Sequence, residues 1–209
     1  MSQSQKLVLD TDLLRARVMS EEYEHLDEKD IRRIYIQETG SEPPAQIRVY
    51  HSQEFKSGFD GTIIHFYDEE KGINQMYTIA RGSEKLEKDT QIPEDWGYNA
   101  FGIFVGKNRS QYNDALRFDE MVTQKITEEL KRNGQTIELK KIGLGHSQGG
   151  NHVEMIQLTE HRFDQVYVRS PFQKAPQRTC KTSPSFSFHF SDSSIRSKVI
   201  SRLHFLLKL

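Results

Sequence analysis

The sequence predicts an α/β fold, and three observations carry that prediction. Runs rich in β-branched and aromatic residues recur along the chain. Segments of helix length and helix period separate the later ones. One serine flanked by glycines stands where a strand-like run gives way to a helix-like one. A helix between two strand-like runs implies a parallel crossover, and hence a sheet with flanking helices.

In chain order, Thr11 can cap a helix whose apolar stripe is Leu13, Leu14, Ala16, Val18 and Tyr23; a second short helix, Lys29 to Ile36, ends before Gly40. The stretch GSEPPAQ, Gly40 to Gln46, is a loop, because Pro43 and Pro44 remove donors and restrict their neighbours. GTIIHFY (Gly61 to Tyr67) and QMYTIA (Gln75 to Ala80) read as a hairpin, since Gly72 and Asn74 supply turn chemistry between them. A long loop from Arg81 to about Arg109 follows, holding the single tryptophan, Trp96. Next comes a helix from about Ser110 to Arg132, with Ala115, Phe118 or Asp119, Val122, Ile126 and Leu130 on its apolar side and Asn133-Gly134 closing it. The strand TIELKKIGLG, a helix to about Glu160 and the strand QVYVRS complete the reading.

At 209 residues the chain is long enough for one domain with a sizeable core. Its 29 basic and 30 acidic residues nearly cancel, so no global field favours nucleic acid or an anionic membrane. One cysteine, Cys180, cannot form an internal disulfide and fits a reducing compartment. No basic, then apolar, leader opens the sequence, and no apolar run approaches the roughly 20 residues that span a bilayer. The expected location is cytoplasmic, with signal-independent export as the other route.

The segment GHSQG, Gly145 to Gly149, matches the G-x-S-x-G nucleophile elbow and is extended by Gly150. In such a turn the serine is thrust out between strand and helix, so residues two positions away must lack side chains. The backbone N–H of the following residue, Gln148, is then available to a developing oxyanion.

The chain resembles the lipase class 3 type of α/β-hydrolase, including related bacterial proteins of unknown function. The resemblance rests on ARGS at Ala80 to Ser83, Asp95-Trp96 in the next loop, the elbow at Gly145 to Gly150, and Ser170-Pro171 after the following strand. It implies an α/β-hydrolase-like, mostly parallel sheet with flanking helices, and an esterase-like or lipase-like activity on a small-molecule or lipid ester. It implies Ser147 as nucleophile, with Gln148 and Ser83 as oxyanion donors. Arg81 reads as a structural ion-pair partner, because a guanidinium cannot act as a base; Asp95 and Trp96 read as loop capping and packing. No cofactor, metal or nucleic acid is expected; contact with a membrane surface would fall to the terminal ISRLHFLLKL.

A hydroxyl nucleophile needs an oriented base, and this fold supplies an acid and then a histidine downstream. After Ser147 the histidines are His152, His161, His189 and His204, and the acids are Glu154, Glu160, Asp164 and Asp192. Asp192 and His204 have the required order. Their spacing is shorter than the family's, and their surroundings lack the expected strands. His146, a packing position of the motif, is set aside. After Gln177 the composition switches: six basic residues stand against one acid, while residues 1–177 hold 23 basic and 29 acidic. The expected organisation is a helical lead-in (1–45), an α/β-hydrolase-like core (46–177) and a basic, serine-rich tail (178–209), with the C-terminal part of the fold incomplete. The alternative reading is a catalytically impaired hydrolase-fold protein acting as a binding or interaction module.

Overall fold

The computed structural model describes residues 6–22, 26–53, 55–81, 109–146 and 148–169. All belong to one compact unit, Met1–Gln173, outside which Lys174–Leu209 falls. Among the described residues there are four helices, α1 (Asp12–Glu21), α2 (Glu28–Thr39), α3 (Arg109–Arg132) and α4 (Gln148–Glu160). Five strands accompany them: β1 (Gln46–His51), β2 (Gly61–Asp68), β3 (Ile73–Ala80), β4 (Lys140–His146) and β5 (Gln165–Arg169).

The strands form one sheet in the order β1-β2-β3-β4-β5. β1–β2 and β2–β3 are antiparallel; β3–β4 and β4–β5 are parallel. The sheet is therefore mixed, where a mostly parallel one is expected from the resemblance. The reason is local: the short turn after Asp68 can only return the chain antiparallel, and β1 adds a second antiparallel pairing. β1 escapes a reading of the sequence because it is short, partly exposed and lies directly after the Pro43-Pro44 loop.

Pleating sends alternate residues to opposite faces, and the two cores follow that parity. Ile47, Ile64, Phe66, Tyr77, Ile79, Ile142 and Leu144 face one side, where Leu14, Val18 and Met19 of α1 and Ile31 and Ile34 of α2 cover them. Ile63, Met76 and Ala80 face the other, beneath Ala115, Phe118, Val122 and Ile126 of α3 and Val153 and Ile156 of α4. Both parallel crossovers place their helix on this second face, as successive crossovers of one hand moving in one direction must. The expected lead-in is thus the cover of a whole sheet face.

Thr11 and Gly40 cap as the sequence implies, and Asp27 adds a cap not read from it. The Thr11 side chain accepts from the Leu14 N–H at 3.1 Å. Asp27 and Asp30 make a reciprocal capping box for α2, which ends at Gly40 in the left-handed region. Leu13, expected in the α1 stripe, is 58% exposed; the buried stripe runs through Leu14 and Val18. Ahead of α1, Val8 and Leu9 are buried, their N–H groups donating to Gln75 Oε1 (2.8 Å) and the Tyr77 hydroxyl (3.1 Å). On the opposite face a buried network ties α3 to the sheet: Thr78 donates to Asp119 (2.8 Å), and Lys141 of β4 pairs with the same carboxylate at 2.5 Å. No helix among the described residues is long and apolar enough to cross a membrane.

Candidate functional site

The carboxyl ends of the parallel strands are where an α/β sheet offers a site, because there the chain leaves the strands and helix N-termini converge. In this chain Gly61, Ala80 and Gly145 stand in register across β2, β3 and β4, and Gly145 pairs onward with Val168 of β5. β4 ends at His146 and α4 begins at Gln148, so a single residue of sequence, Ser147, joins them.

The glycines explain how strand and helix come so close. A methyl group on Gly145 would stand 2.5 Å from Gly150 Cα, and one on Gly149 would stand 1.8 Å from the Ala80 carbonyl oxygen. One on Gly150 would meet Val168 Cγ1 at 2.5 Å. Three glycines therefore let the first turn of α4 lie directly on the ends of β3, β4 and β5. That turn carries no acidic residue, so the positive end of the helix dipole is not offset there.

Of the expected site residues, Gln148 opens α4. Ser147, Ser83, Asp192 and His204 lie outside the described residues, as do Asp95, Trp96, His189, Ser170 and Pro171. Arg81 directly follows β3 and pairs with Asp60: Nη1 lies 3.1 Å from Oδ2, and its backbone N–H donates to the Asp60 carbonyl at 3.0 Å. The structural part expected of Arg81 is what the geometry gives it.

Three other titratable groups near α4, His152, His161 and Asp164, are engaged in packing, capping and strand pairing. His152 is 5% exposed, with its ring edge-on to Phe59 at 6.2 Å, and burial pushes its pKa down to about 4. It is therefore a neutral imidazole at physiological pH. His161 takes a φ of 51° where its N–H donates to the Gln157 carbonyl and closes α4. Asp164 exchanges bonds with Lys141: its carboxylate accepts from the Lys141 N–H (2.8 Å), and its own N–H donates to the Lys141 carbonyl (2.8 Å). Glu154 and Glu160 stand on the exposed side of α4.

One group at this end of the sheet is absent from the sequence-based candidates. Glu22, directly after α1, is 4% exposed, and burial raises its pKa to about 8. The Thr62 hydroxyl bonds its carboxyl, while Asp60 and Arg81 act on it through space. Among the described residues its Oε2 has no hydrogen-bond partner. A sequence signal exists: Leu14, Val18 and Glu22 recur every four residues, so the acid sits on the buried stripe. Thr62 in turn contacts His51 Nδ1 at 3.0 Å.

Comparison with known proteins gives a family and one relative of note. A family model described as a domain of unknown function, DUF6792, matches residues 13–198. The uncharacterized protein YvcB of Bacillus subtilis (strain 168) is 37% identical over 155 residues, 67% of this chain and 22% of that protein. The chain thus spans about a fifth of the length of this relative. No solved structure matches the chain.

Proposed function

We propose that this chain, which belongs to the DUF6792 family, is a serine hydrolase of the lipase class 3 type acting on a carboxylic ester. The observation that carries the proposal is the glycine-lined junction at which β4 passes through Ser147 into α4, with Gly149 lying against Ala80. Such a junction is what a nucleophile elbow requires, and a merely structural strand-to-helix turn has no need of three glycines so closely set.

In this reading Ser147 attacks the ester carbonyl. Its hydroxyl proton passes to a histidine base oriented by an acid, for which the chain order Ser, Asp, His offers His204 and Asp192, and the alkoxide leaves with that proton. The backbone N–H of Gln148, at the positive end of α4, and that of Ser83 hold the oxyanion. Water then repeats the sequence on the acyl-enzyme, releasing the acid and regenerating the serine.

The test is covalent labelling of the purified protein by a fluorophosphonate, with the adduct mapped by mass spectrometry. Labelling at Ser147, lost in Ser147→Ala and strongly reduced in His204→Ala, is the expected result. Folded protein that takes up no label, or labelling unchanged by Ser147→Ala, would overturn the proposal and favour a binding module.

A further inference from the structure

At the end of the sheet where β3 and β4 begin, two polar atoms of β2 are buried and unmatched. Tyr67 stands opposite Asn74 of β3, and His65 opposite Met76. Both rings share the parity of Ile63 and so lie on the α3 side of the sheet. His65 is 1% exposed and Tyr67 9%, and their ring centroids are 6.0 Å apart. Among the described residues, His65 Nδ1 and the Tyr67 hydroxyl oxygen have no hydrogen-bond partner. Atoms of this kind are costly to bury, because folding takes them out of water.

The hydrogen bonds on the other side of His65 fix what its Nδ1 requires. The Ile137 carbonyl can only accept, so the Asn74 amide turns its Nδ2 toward it, at 2.7 Å. Asn74 Oδ1 is thereby presented to His65 Nε2 at 2.8 Å, and an amide oxygen can only accept, so Nε2 carries the ring hydrogen. Burial holds His65 below its usual pKa and so favours a ring with that single hydrogen. Nδ1 is then a bare lone pair that needs a donor. The Tyr67 hydroxyl has one hydrogen to give and lone pairs to offer, yet no hydrogen bond joins it to Nδ1 directly.

We propose that His65 and Tyr67 form a binding site for one buried water molecule, which accepts from the Tyr67 hydroxyl and donates to His65 Nδ1. Water is the smallest molecule that supplies both roles, and buried polar groups left over from the protein's own pairing are what hold it inside a fold. The bridge continues a line already begun: Ile137 before β4, Asn74 on β3, His65 and then Tyr67 on β2. It thus ties the base of the hairpin to the segment that leads into the parallel half of the sheet. The site is independent of the serine-hydrolase reading.

The test uses the full chain at neutral pH, with water itself as the probe. In the wild type, His65 nitrogen shifts should place the ring hydrogen on Nε2, and nuclear Overhauser transfer from a long-lived water should reach the Tyr67 hydroxyl and His65 Hε1. Relaxation dispersion of the water oxygen nucleus, which is blind to exchanging protons, should count one slow water fewer in Tyr67→Phe than in the wild type. An unchanged count overturns the bridge, as does a His65 hydrogen found on Nδ1. A Tyr67 hydroxyl proton that shows transfer to His65 and none from water reveals a direct bond in place of the bridge and equally overturns it. Should Tyr67→Phe fail to fold, a crystal structure of the wild type decides: an ordered oxygen within hydrogen-bond reach of both atoms supports the site, and its lack there rejects it.

Discussion

The two halves of the sheet, joined at β3, are packed by opposite means. In the antiparallel half, Ile63, Ile64, His65, Phe66 and Tyr67 of β2 are all buried, and side chains fill the space on both faces. In the parallel half, Gly143 and Gly145 of β4 present no side chain; Phe163 fills the first gap and the backbone of α4 the second. One half holds its register by interlocking side chains, the other by letting backbones touch. The difference teaches where function can be built, because close backbone approach brings helix N–H groups to the strand ends, and side-chain packing would bury that place.

The largest expected effect lies at the seam between the halves, where Asp119 joins Thr78 of β3 to Lys141 of β4. Asp119→Ala leaves Lys141, whose side chain is 12% exposed, without its charge partner and should cost about 3–5 kcal/mol in urea unfolding. Adding Lys141→Met should restore much of that loss, and a double mutant no more stable than the single would show that the carboxylate, not the pair, matters.

The second test contrasts two glycines. Gly149→Ala, in the parallel half, forces a methyl group into the Ala80 carbonyl and should cost about 3 kcal/mol, the upper end of ordinary overpacking. Gly72→Ala, in the hairpin turn, meets nothing within 4 Å and is opposed only by a φ of 64°, so about 1 kcal/mol is expected. Equal losses would mean that the contact between α4 and Ala80 yields more readily than its geometry implies.

The third is the pH dependence of stability. Glu22 keeps its proton in the fold up to about pH 8 but loses it near 4.5 when unfolded, so its contribution falls as pH rises between those values. His152 is neutral in the fold down to about pH 4 but protonates near 6.5 when unfolded, so its contribution falls as pH drops from 6.5 to 4. Between 4.5 and 6.5 these two slopes oppose each other. Between 6.5 and 8 only Glu22 acts, and stability should fall by about 2 kcal/mol at about 1.36 kcal/mol per unit. Thermal melts of Glu22→Gln should be flat across that window; a slope equal to wild type would assign it to another group. His65, also held below its usual range by burial, reinforces the loss on the acid side.

Legibility in the sequence divides along the same seam. α3, α4, the hairpin, the N-cap of α1 and the C-cap of α2 are readable because local chemistry decides them: periodicity, Thr11, Gly40, the Asn133-Gly134 end. The glycines around Ser147 are readable as a demand for closeness, although the objects they approach, Ala80 and Val168, are not. β1 escapes notice because an edge strand needs burial on one face only, and its partners lie in β2. Glu22 escapes it because an acid at the end of a charged helix reads as solvent-facing. The hydroxyl that meets its carboxyl belongs to Thr62, 40 residues away in sequence.

The fastening of the first residues to β3 has a consequence for how the chain is made. Val8 and Leu9 find their partners on Gln75 and Tyr77, separated from them by 67 and 68 residues. During synthesis the segment that holds Val8 and Leu9 therefore emerges well before the strand that receives it. Until Tyr77 clears the ribosome, Leu9, Leu14 and Val18 have no sheet to cover, and the nascent chain offers an apolar segment to chaperones. The segment around Val8 and Leu9 waits for a strand made well after it.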